Sequence, residues 1–229
     1  MIIEKKGNIF NTDCQTIVNT INCLGVMGAG IAFEFRLRYP SMYDRYKVLC
    51  KEEKIQIGLL WIYSINEQKK ILNFPTKYDW KKSTKIEYLE KGLNKFVNTY
   101  KTKNITSIAF PFLGANNGGL SKDESFLIMK KYLIKCDIPI EIWHYESSAS
   151  DDLFEKFKSI MQNNHIVFLA KETSINQSTL MKIKENLTNP NFSSISSLLN
   201  IKGIGKKTIE KLFQHLIVKN SKKPKTLFE

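Results

Sequence analysis

The sequence lacks any long uninterrupted hydrophobic run. Its longest apolar stretches, residues 57–62 and 105–113, are far shorter than the roughly 20 residues that a membrane-spanning helix requires. The N-terminus, residues 1–6, also has no apolar segment behind a basic start, so it does not resemble an export signal. These absences predict a cytoplasmic protein with no membrane-embedded part.

Closely spaced cysteine pairs are absent as well. The four cysteines are scattered, with no Cys-x-x-Cys pair and no neighbouring histidine: Cys14, Cys23, Cys50 and Cys136. This spacing argues against a zinc site or a disulfide framework and predicts reduced thiols. The three histidines show neither metal-ligand nor catalytic-triad spacing. We therefore predict neither a metal nor a cofactor.

Acidic residues are few relative to basic ones. The 22 Asp and Glu residues are outnumbered by 35 Lys and Arg residues, for a formal net charge of +13. This balance favours a polyanionic partner such as nucleic acid, although a coding bias towards lysine and asparagine would produce the same composition. The 229 residues, 42% of them hydrophobic, are enough for one large domain with a packed core, or for a medium domain and a small one.

The first part of the chain has the pattern of a layered α/β domain. Apolar runs at residues 59–65, 105–112 and 138–144 predict buried strands. Apolar residues recur at helical spacing over residues 86–97 and 126–134, which predicts amphipathic helices between the strands. Strands that alternate with helices indicate a mostly parallel or mixed sheet covered by helices.

A small polar run at residues 146–152 follows the last predicted strand and is typical of a linker. We therefore predict one domain at residues 1–147 and a second at residues 148–229. Helical patterns at residues 152–162, 177–187 and 195–216 make the second domain all-α, and it ends in a basic tail at residues 219–225.

Two glycine-rich segments each lead into a predicted helix. Residues 25–32, GVMGAGIA, offer flexible backbone and free N–H groups at a helix start, which attract phosphate, although a plain strand-to-helix turn has the same composition. Residues 110–120, FPFLGANNGGL, repeat this arrangement after a buried strand. Two such loops at the ends of neighbouring strands predict one crevice for a diphosphate. The amides of Asn19 and Asn22 precede the first loop and suit a sugar, although turn-forming asparagines are an alternative.

The second domain contains the segment LLNIKGIGKKTIEKL at residues 198–212, which resembles a helix-hairpin-helix module. In such a module, Gly203 and Gly205 would let backbone N–H groups reach a DNA phosphate. Lys206 and Lys207 would add attraction that does not depend on base sequence. A helical hairpin that only packs against its own domain is the alternative.

Five segments in order resemble a macrodomain: residues 7–9, 19–22, 25–32, 73–80 (NFPTKYDW) and 111–120. They are similar to the branch that contains the DNA ADP-ribosyl glycohydrolase antitoxins and the human terminal ADP-ribose glycohydrolase. The resemblance covers residues 1–147. It implies a three-layer α/β/α sandwich with a mixed central sheet, followed here by the small all-α domain. It also implies that ADP-ribose lies across the crest of the sheet.

The same resemblance implies a set of site residues. The adenine end would lie at Asn8 and Ile9, and Asn22 would face the distal ribose beside the catalytic Lys77. The remaining ADP-ribose contacts fall on the two loops and the strands that lead into them: Asn19, Gly28, Ala29, Gly30, Ile31, Thr76, Gly114, Ala115, Asn116, Asn117, Gly118 and Gly119.

Lys77 can act in two ways. An amine whose pKa is lowered by burial or by cationic neighbours can attack the anomeric carbon of an opened ribose and form a Schiff base. An ammonium group can instead stabilise negative charge on the leaving group or the open sugar. Without the surrounding motif, a solvated surface lysine would be the simpler interpretation.

Two departures from the branch concern the second loop. Gly118 stands where the related human enzyme has an aspartate, and Ala115-Asn116 replaces the usual Cys-Gly. The antitoxins tolerate a glycine-rich loop there, so the resemblance favours ADP-ribosylated DNA over protein as the substrate. A DNA ADP-ribosyltransferase toxin would then be the cognate partner. The alternatives are a reader that binds ADP-ribose without turnover and a hydrolase of ADP-ribosylated protein carboxylates.

Overall fold

The computed structural model describes residues 1–149, 151–189 and 191–218, with side chains given as far as residue 215. The chain divides into two compact units, Met1–Glu146 and Ser147–Glu229. The basic tail predicted at residues 219–225 lies outside the described residues. Each unit has its own set of buried hydrophobic residues.

The first unit is built on a six-stranded sheet. Its strands are β1 (Ile2–Gly7), β2 (Thr16–Asn22), β3 (Trp61–Ser64), β4 (Lys70–Lys77), β5 (Ile108–Pro111) and β6 (Ile140–Tyr145). The strand order is β1-β6-β5-β2-β4-β3, and only the edge strand β3 runs antiparallel to its neighbour. The mixed sheet predicted from the sequence is therefore confirmed. β3 and β5 fall inside two of the predicted apolar runs, and β6 extends one residue beyond the third.

Helices cover both faces of this sheet: α1 (Gly30–Arg38), α2 (Pro40–Lys51), α3 (Ile86–Thr99) and α4 (Lys122–Leu133). Successive side chains of a buried strand point to opposite faces, so each strand contributes to two cores. Ile17 of β2 packs in the core that holds Phe35 and Tyr46 of α1 and α2. The next residue, Val18, packs in the core that holds Phe96 of α3 and α4 residues. The predicted three-layer α/β/α sandwich is confirmed.

The described part of the second unit is helical. It contains α5 (Asp152–Asn163), α6 (Ile166–Thr173), α7 (Gln177–Asn186), a 3₁₀ turn at Ser196–Asn200, α8 (Lys206–Leu212) and a π-helical turn at Phe213–Val218. Asp151 and Asn176 cap the first turns of α5 and α7 through side-chain hydrogen bonds. Helices α5 and α7 fall where the pattern predicts them, whereas α6 has no counterpart among the predicted segments.

The first helix predicted for the hairpin is only a short 3₁₀ turn. Ser194 and Ser197 exchange hydrogen bonds between their hydroxyls and backbone N–H groups at 3.2 and 3.3 Å. Such local bonds compete with helical hydrogen bonding, so the segment closes as a turn before α8 begins.

Among the described residues, no helix is both long and apolar enough to cross a membrane.

A buried carboxylate ties β6 to the segment that leads into β2. Glu141 accepts hydrogen bonds from the Thr12 hydroxyl at 2.5 Å and from the Trp143 indole at 2.8 Å. Lys5 Nζ lies 2.5 Å from its other oxygen. Burial by itself would raise the pKa of Glu141, but the bonds from Lys5, Thr12 and Trp143 outweigh it and hold the pKa below its usual value. The ionised carboxylate is therefore a stabilising group of this unit.

We expect Glu141→Gln to lower the free energy of unfolding by about 1–3 kcal/mol at neutral pH, because charge-assisted hydrogen bonds are lost in a buried place. Because the pKa of Glu141 is lowered in the folded state, its carboxylate stabilises the fold fully at pH values above 4.5. This stabilisation is lost as the pH falls through the lower folded-state pKa. In urea unfolding measured from neutral to acid pH, the free energy of unfolding should therefore decrease less in the variant than in the unsubstituted protein. The exposed Glu67→Gln is the control. Equal acid profiles for all three proteins would contradict this assignment.

Candidate functional site

The carboxyl ends of three neighbouring parallel strands, β4, β2 and β5, meet at one edge of the sheet. After a register shift between Ile21 and Asn22, Asn22 at the end of β2 pairs with Lys77 at the end of β4. The second glycine-rich loop follows β5. The structure therefore brings together two predicted active-site residues that lie far apart in sequence, at the edge where ligands bind in open α/β sheets.

Asn22 organises the first loop through its side-chain amide. Its Nδ2 donates to the Val26 carbonyl at 2.5 Å, and its Oδ1 accepts from the N–H groups of Leu24 and Val26 at 3.0 and 3.3 Å. The Tyr46 hydroxyl also donates to the Asn22 carbonyl at 2.6 Å. Both ends of the amide are thus engaged with the protein, so its contact with a distal ribose stays a prediction.

Asn19 has a different environment from Asn22. Its side chain is fully buried on the α1 and α2 face of the sheet, and its Nδ2 donates to Asn73 Oδ1 on β4 at 2.9 Å. Thr76, immediately before Lys77, is buried as well. Asn19 and Asn73 therefore join β2 to β4 beneath the crest, which makes Asn19 a supporting residue of the site.

The residues predicted at the adenine end directly follow β1. Asn8 is buried, and its Oδ1 accepts a hydrogen bond from the Phe10 N–H at 3.0 Å, which caps a short 3₁₀ turn at Ile9–Asn11. Ile9 packs in the core beside α1 and α2. The amide of Asn8 thus shapes this turn, while the contact of both residues with adenine stays a prediction.

The first loop ends at the N-terminus of α1. Ala29 is the N-cap residue and offers no side-chain acceptor, so the N–H groups of the first turn have no side-chain cap. Ala29 and Gly30 are exposed, and Gly28 and Ile31 are half-buried. Gly30 has φ of 55°, a conformation that favours glycine. This is a suitable place for a phosphate group.

The second loop faces the first. Ala115 precedes a 3₁₀ turn at Asn116–Gly118, which is closed by Gly119 in the left-handed conformation. A β-carbon built on Gly30 would lie 3.0 Å from Asn117 Nδ2, so the two loops approach each other closely. The diphosphate site predicted between the two loops stays a prediction.

Lys77 lies beside the second loop. Its side chain is half-buried, and its ammonium group donates a hydrogen bond to the Asn117 carbonyl. Burial lowers the pKa of Lys77, although the nearby Asp79 opposes that shift. The amine therefore differs from a solvated surface lysine in both position and acidity.

Thr84 is a site residue that the sequence reasoning missed. It is buried, and its N–H donates to the Gly118 carbonyl at 2.8 Å. A β-carbon on Gly118 would lie 2.8 Å from Thr84 Oγ1, and one on Gly114 would lie 2.8 Å from Thr84 Cγ2. The space next to Gly118 is therefore filled by Thr84. Neither glycine spacing nor hydrophobic periodicity signals this contact, because Thr84 lies between two recognisable motifs.

The four residues predicted to bind DNA are close together in the second unit. Gly203 has φ of 89°, Gly205 is the N-cap residue of α8, and the exposed Lys206 and Lys207 begin that helix. The Gly203–Gly205 turn is closed by a hydrogen bond from the Ile204 N–H to the Ile201 carbonyl at 3.0 Å. The tight turn and the two lysines are present as predicted, while their contact with DNA stays a prediction.

Within the described ranges, no group of three or more His, Cys, Asp or Glu side chains is placed to hold a metal ion.

The match to a family model agrees with this architecture. Residues 18–129 match the Macro domain family. The solved macrodomain of Mycobacterium tuberculosis DarG is 35% identical in sequence and superposes with a TM-score of 0.60. That alignment covers 62% of this chain and 97% of the mycobacterial domain. The chain therefore belongs to the macrodomain family through its first unit.

Within that family, the chain is similar to proteins named DNA ADP-ribosyl glycohydrolase. The Mycobacterium tuberculosis protein of that name is 39% identical over 127 residues, which cover 54% of this chain and 36% of the relative. A solved structure described as Thermosipho africanus DarTG in complex with ADP-ribose is 31% identical with a TM-score of 0.58, and the alignment covers 65% of this chain and 42% of that one. The chain thus spans well under half the length of these relatives.

We expect Gly118→Ala to lower the free energy of unfolding by about 1–3 kcal/mol, because the new methyl group has to displace the Thr84 hydroxyl from a packed position. Combining it with Thr84→Ala removes that hydroxyl and should recover part of the loss in a double-mutant cycle of thermal unfolding. Lys95→Ala, at an exposed position of α3 in the same unit, is the control. Strictly additive effects of the two substitutions would contradict a direct contact.

Proposed function

We propose that this protein hydrolyses the bond between ADP-ribose and a nucleobase in DNA. It would thereby remove the modification that a DNA ADP-ribosyltransferase makes in the cytoplasm. The observation that carries the proposal is the position of Lys77. A half-buried amine with a lowered pKa stands at the end of β4, beside Asn22 and against the second loop. The similarity to proteins named DNA ADP-ribosyl glycohydrolase supports this substrate.

ADP-ribose would lie along the crest of the sheet. Its adenine end would lie near Asn8 and Ile9, and its distal ribose near Lys77 and Asn22. The diphosphate would accept hydrogen bonds from the first turn of α1 and from backbone groups of the second loop, because uncapped N–H groups and a helix N-terminus favour anions. The first-loop and second-loop contacts are Gly28, Ala29, Gly30, Ile31, Gly114, Ala115, Asn116, Asn117, Gly118 and Gly119. Asn19 and Thr76 would support this arrangement from below.

Two reaction routes are compatible with Lys77. In the first, the bond between C1 and the ring oxygen breaks and that oxygen takes up a proton, so the ribose ring opens, and the neutral amine then adds to C1. The base departs with the electron pair of its bond to C1 and takes up the proton that the amine loses. Water hydrolyses the resulting Schiff base to free ADP-ribose and the amine. In the second, water attacks, and the ammonium group stabilises the negative charge that develops on the leaving base or the open sugar. The lowered pKa favours the first route, and the hydrogen bond to the Asn117 carbonyl favours the second.

The second unit would hold the DNA strand without reading its sequence. The tight turn at Gly203 and Gly205 and the exposed Lys206 and Lys207 offer N–H groups and positive charge to phosphates. A transferase partner is supported by a relative named DNA ADP-ribosyl transferase-DNA ADP-ribosyl glycohydrolase fusion protein, from Thermosipho africanus, which is 31% identical over 156 residues.

We expect Lys77→Ala to slow release of ADP-ribose from ADP-ribosylated single-stranded DNA by on the order of a hundredfold or more, because the reacting or charge-stabilising group is removed. ADP-ribose affinity, measured by calorimetry, should change little. The exposed Lys95→Ala is the matched control and should behave as the unsubstituted protein. Full activity of Lys77→Ala would refute the role of Lys77.

The two routes separate with Lys77→Arg and borohydride. Arginine keeps a positive charge but is not a nucleophile at neutral pH, so retained activity would support the electrostatic route. A protein adduct trapped by borohydride only when Lys77 is present would support the Schiff base. Tight ADP-ribose binding without release from any substrate would favour a reader, and release only from ADP-ribosylated protein would favour a carboxylate hydrolase.

We expect Lys206→Gln with Lys207→Gln to weaken binding of unmodified DNA by about the same factor for every sequence. The slope of the logarithm of affinity against the logarithm of salt concentration should fall by about 1 for each lysine that contacts a phosphate. Fluorescence anisotropy at several salt concentrations measures both quantities. An unchanged salt slope would show that the hairpin serves another purpose, such as binding a partner protein.

A further inference from the structure

The segment that follows Lys77 exposes two large aromatic side chains that the proposed chemistry does not use. Tyr78 is 60% exposed and Trp80 is 49% exposed. Three exposed lysines lie in the same segment, and we name Tyr78, Trp80, Lys81, Lys82 and Lys85 together the rim patch. Aromatic rings stabilise a fold most when they are buried. Two exposed rings beside a candidate site are therefore typical of a binding surface.

The backbone of this segment is held at both ends by the site itself. The Cys23 N–H, just after β2, donates to the Tyr78 carbonyl at 3.0 Å, and the Thr84 N–H donates to the Gly118 carbonyl at 2.8 Å. Between these anchors, the Asp79 carboxylate accepts from the Lys81 N–H at 2.9 Å. The rim patch is therefore presented on a fixed turn, which lowers the entropy cost of binding.

The rim patch lies next to the amine that would meet the modified base. Tyr78 and Trp80 are the first and third residues after Lys77, so the α-carbons of Lys77 and Trp80 are at most about 11 Å apart. If the glycosidic bond of one nucleotide lies at Lys77, the neighbouring nucleotides of the same strand extend over this distance.

The chemistry of the rim patch matches a single-stranded nucleic acid. Lys81 Nζ lies 5.4 Å from the centre of the Trp80 ring, so the segment combines aromatic faces with positive charge. Bases stack on aromatic rings and phosphates are attracted to lysines, and both groups repeat along a single strand. An acidic protein segment would pair with the lysines, but its carboxylates would not stack on the rings of Tyr78 and Trp80. Among residues 78–85, the carboxylate is that of Asp79, which bonds to its own backbone turn, and Lys85 lies 3.8 Å from Glu87 just outside the patch.

We propose that the rim patch binds the single-stranded DNA that flanks the modified base, with Tyr78 and Trp80 stacking on neighbouring bases and the lysines contacting phosphates. This inference rests on the proposed function, because it assigns a binding surface for the rest of the same substrate. It explains how a site built for ADP-ribose could prefer DNA over a free nucleoside.

The test compares two substrates in the full chain: a short single-stranded oligonucleotide with one ADP-ribosylated base, and the corresponding ADP-ribosylated nucleoside. Tyr78→Ala and Trp80→Ala should each lower kcat/KM for the oligonucleotide by on the order of tenfold, mainly through KM, because each removes one stacking partner. The rate for the nucleoside, which has no neighbouring bases, should not change. Trp80→Phe should retain most of the activity on the oligonucleotide.

Tyr132→Ala is the aromatic control, and because this half-buried ring packs against the core beneath α4, thermal unfolding first checks that the variant is folded. Lys131 and Lys135 flank this ring near the end of α4, on the order of 15 Å along the helix from the second loop. It should leave both substrates unaffected. Equal losses on oligonucleotide and nucleoside for Trp80→Ala, or no loss on either, would overturn the role of the rim patch. With an ADP-ribosylated protein as a third substrate, a loss confined to that protein would assign the patch to a protein partner and also overturn its proposed role.

Failure of the proposed function gives a different result, because the unsubstituted protein would then release ADP-ribose from neither DNA substrate. In that case, the role of the rim patch is tested by the affinity for the ADP-ribosylated oligonucleotide, measured by fluorescence anisotropy. Weaker binding by Trp80→Ala than by Tyr132→Ala supports the patch, and equal binding overturns it.

Discussion

The parallel pairing of β2 with β4 is the constraint on which the rest of the site depends. Residues 54 positions apart, Asn19 and Asn73, bond through their buried amides in the middle of this pair. That register alone would place Asn22 opposite Thr76, and the shift between Ile21 and Asn22 places it beside Lys77 instead, where both strands end. A one-residue slip would turn each of these side chains to the opposite face of the sheet, so the register also decides which groups reach the crest.

The loops around this crest are kept in place by contacts that leave little spare room. Asn22 holds the first loop through its side-chain amide, and Lys77 bonds to the second loop at Asn117. Thr84 fills the space beside Gly114 and Gly118. The glycines of the second loop are therefore required by a neighbour from another segment. The same segment, residues 78–84, also carries the exposed aromatic rings of the rim patch.

Much of the architecture could be predicted from the sequence, because it depends on local patterns. Apolar runs located β3, β5 and β6, and helical spacing located α3 and α4, since burial on a sheet or a helix face leaves a periodic trace. β4 left a weaker trace, because its residues Ile71–Thr76 are all buried and include polar side chains. The first helix of the hairpin was predicted wrongly, because Ser194 and Ser197 close a turn through local bonds that the apolar pattern does not register.

The sequence by itself determined the three-layer fold class, the two glycine-rich loops and the motif around Lys77. Each of these features depends on residues that are close together in the chain. Only the tertiary structure decided that Asn19 points into a core, that Thr84 fills the place beside Gly118, and that Tyr78 and Trp80 stand in solvent. Burial and contact across the sheet depend on partners from distant segments. The packing of the whole domain determines those partners, so no single stretch of sequence predicts them.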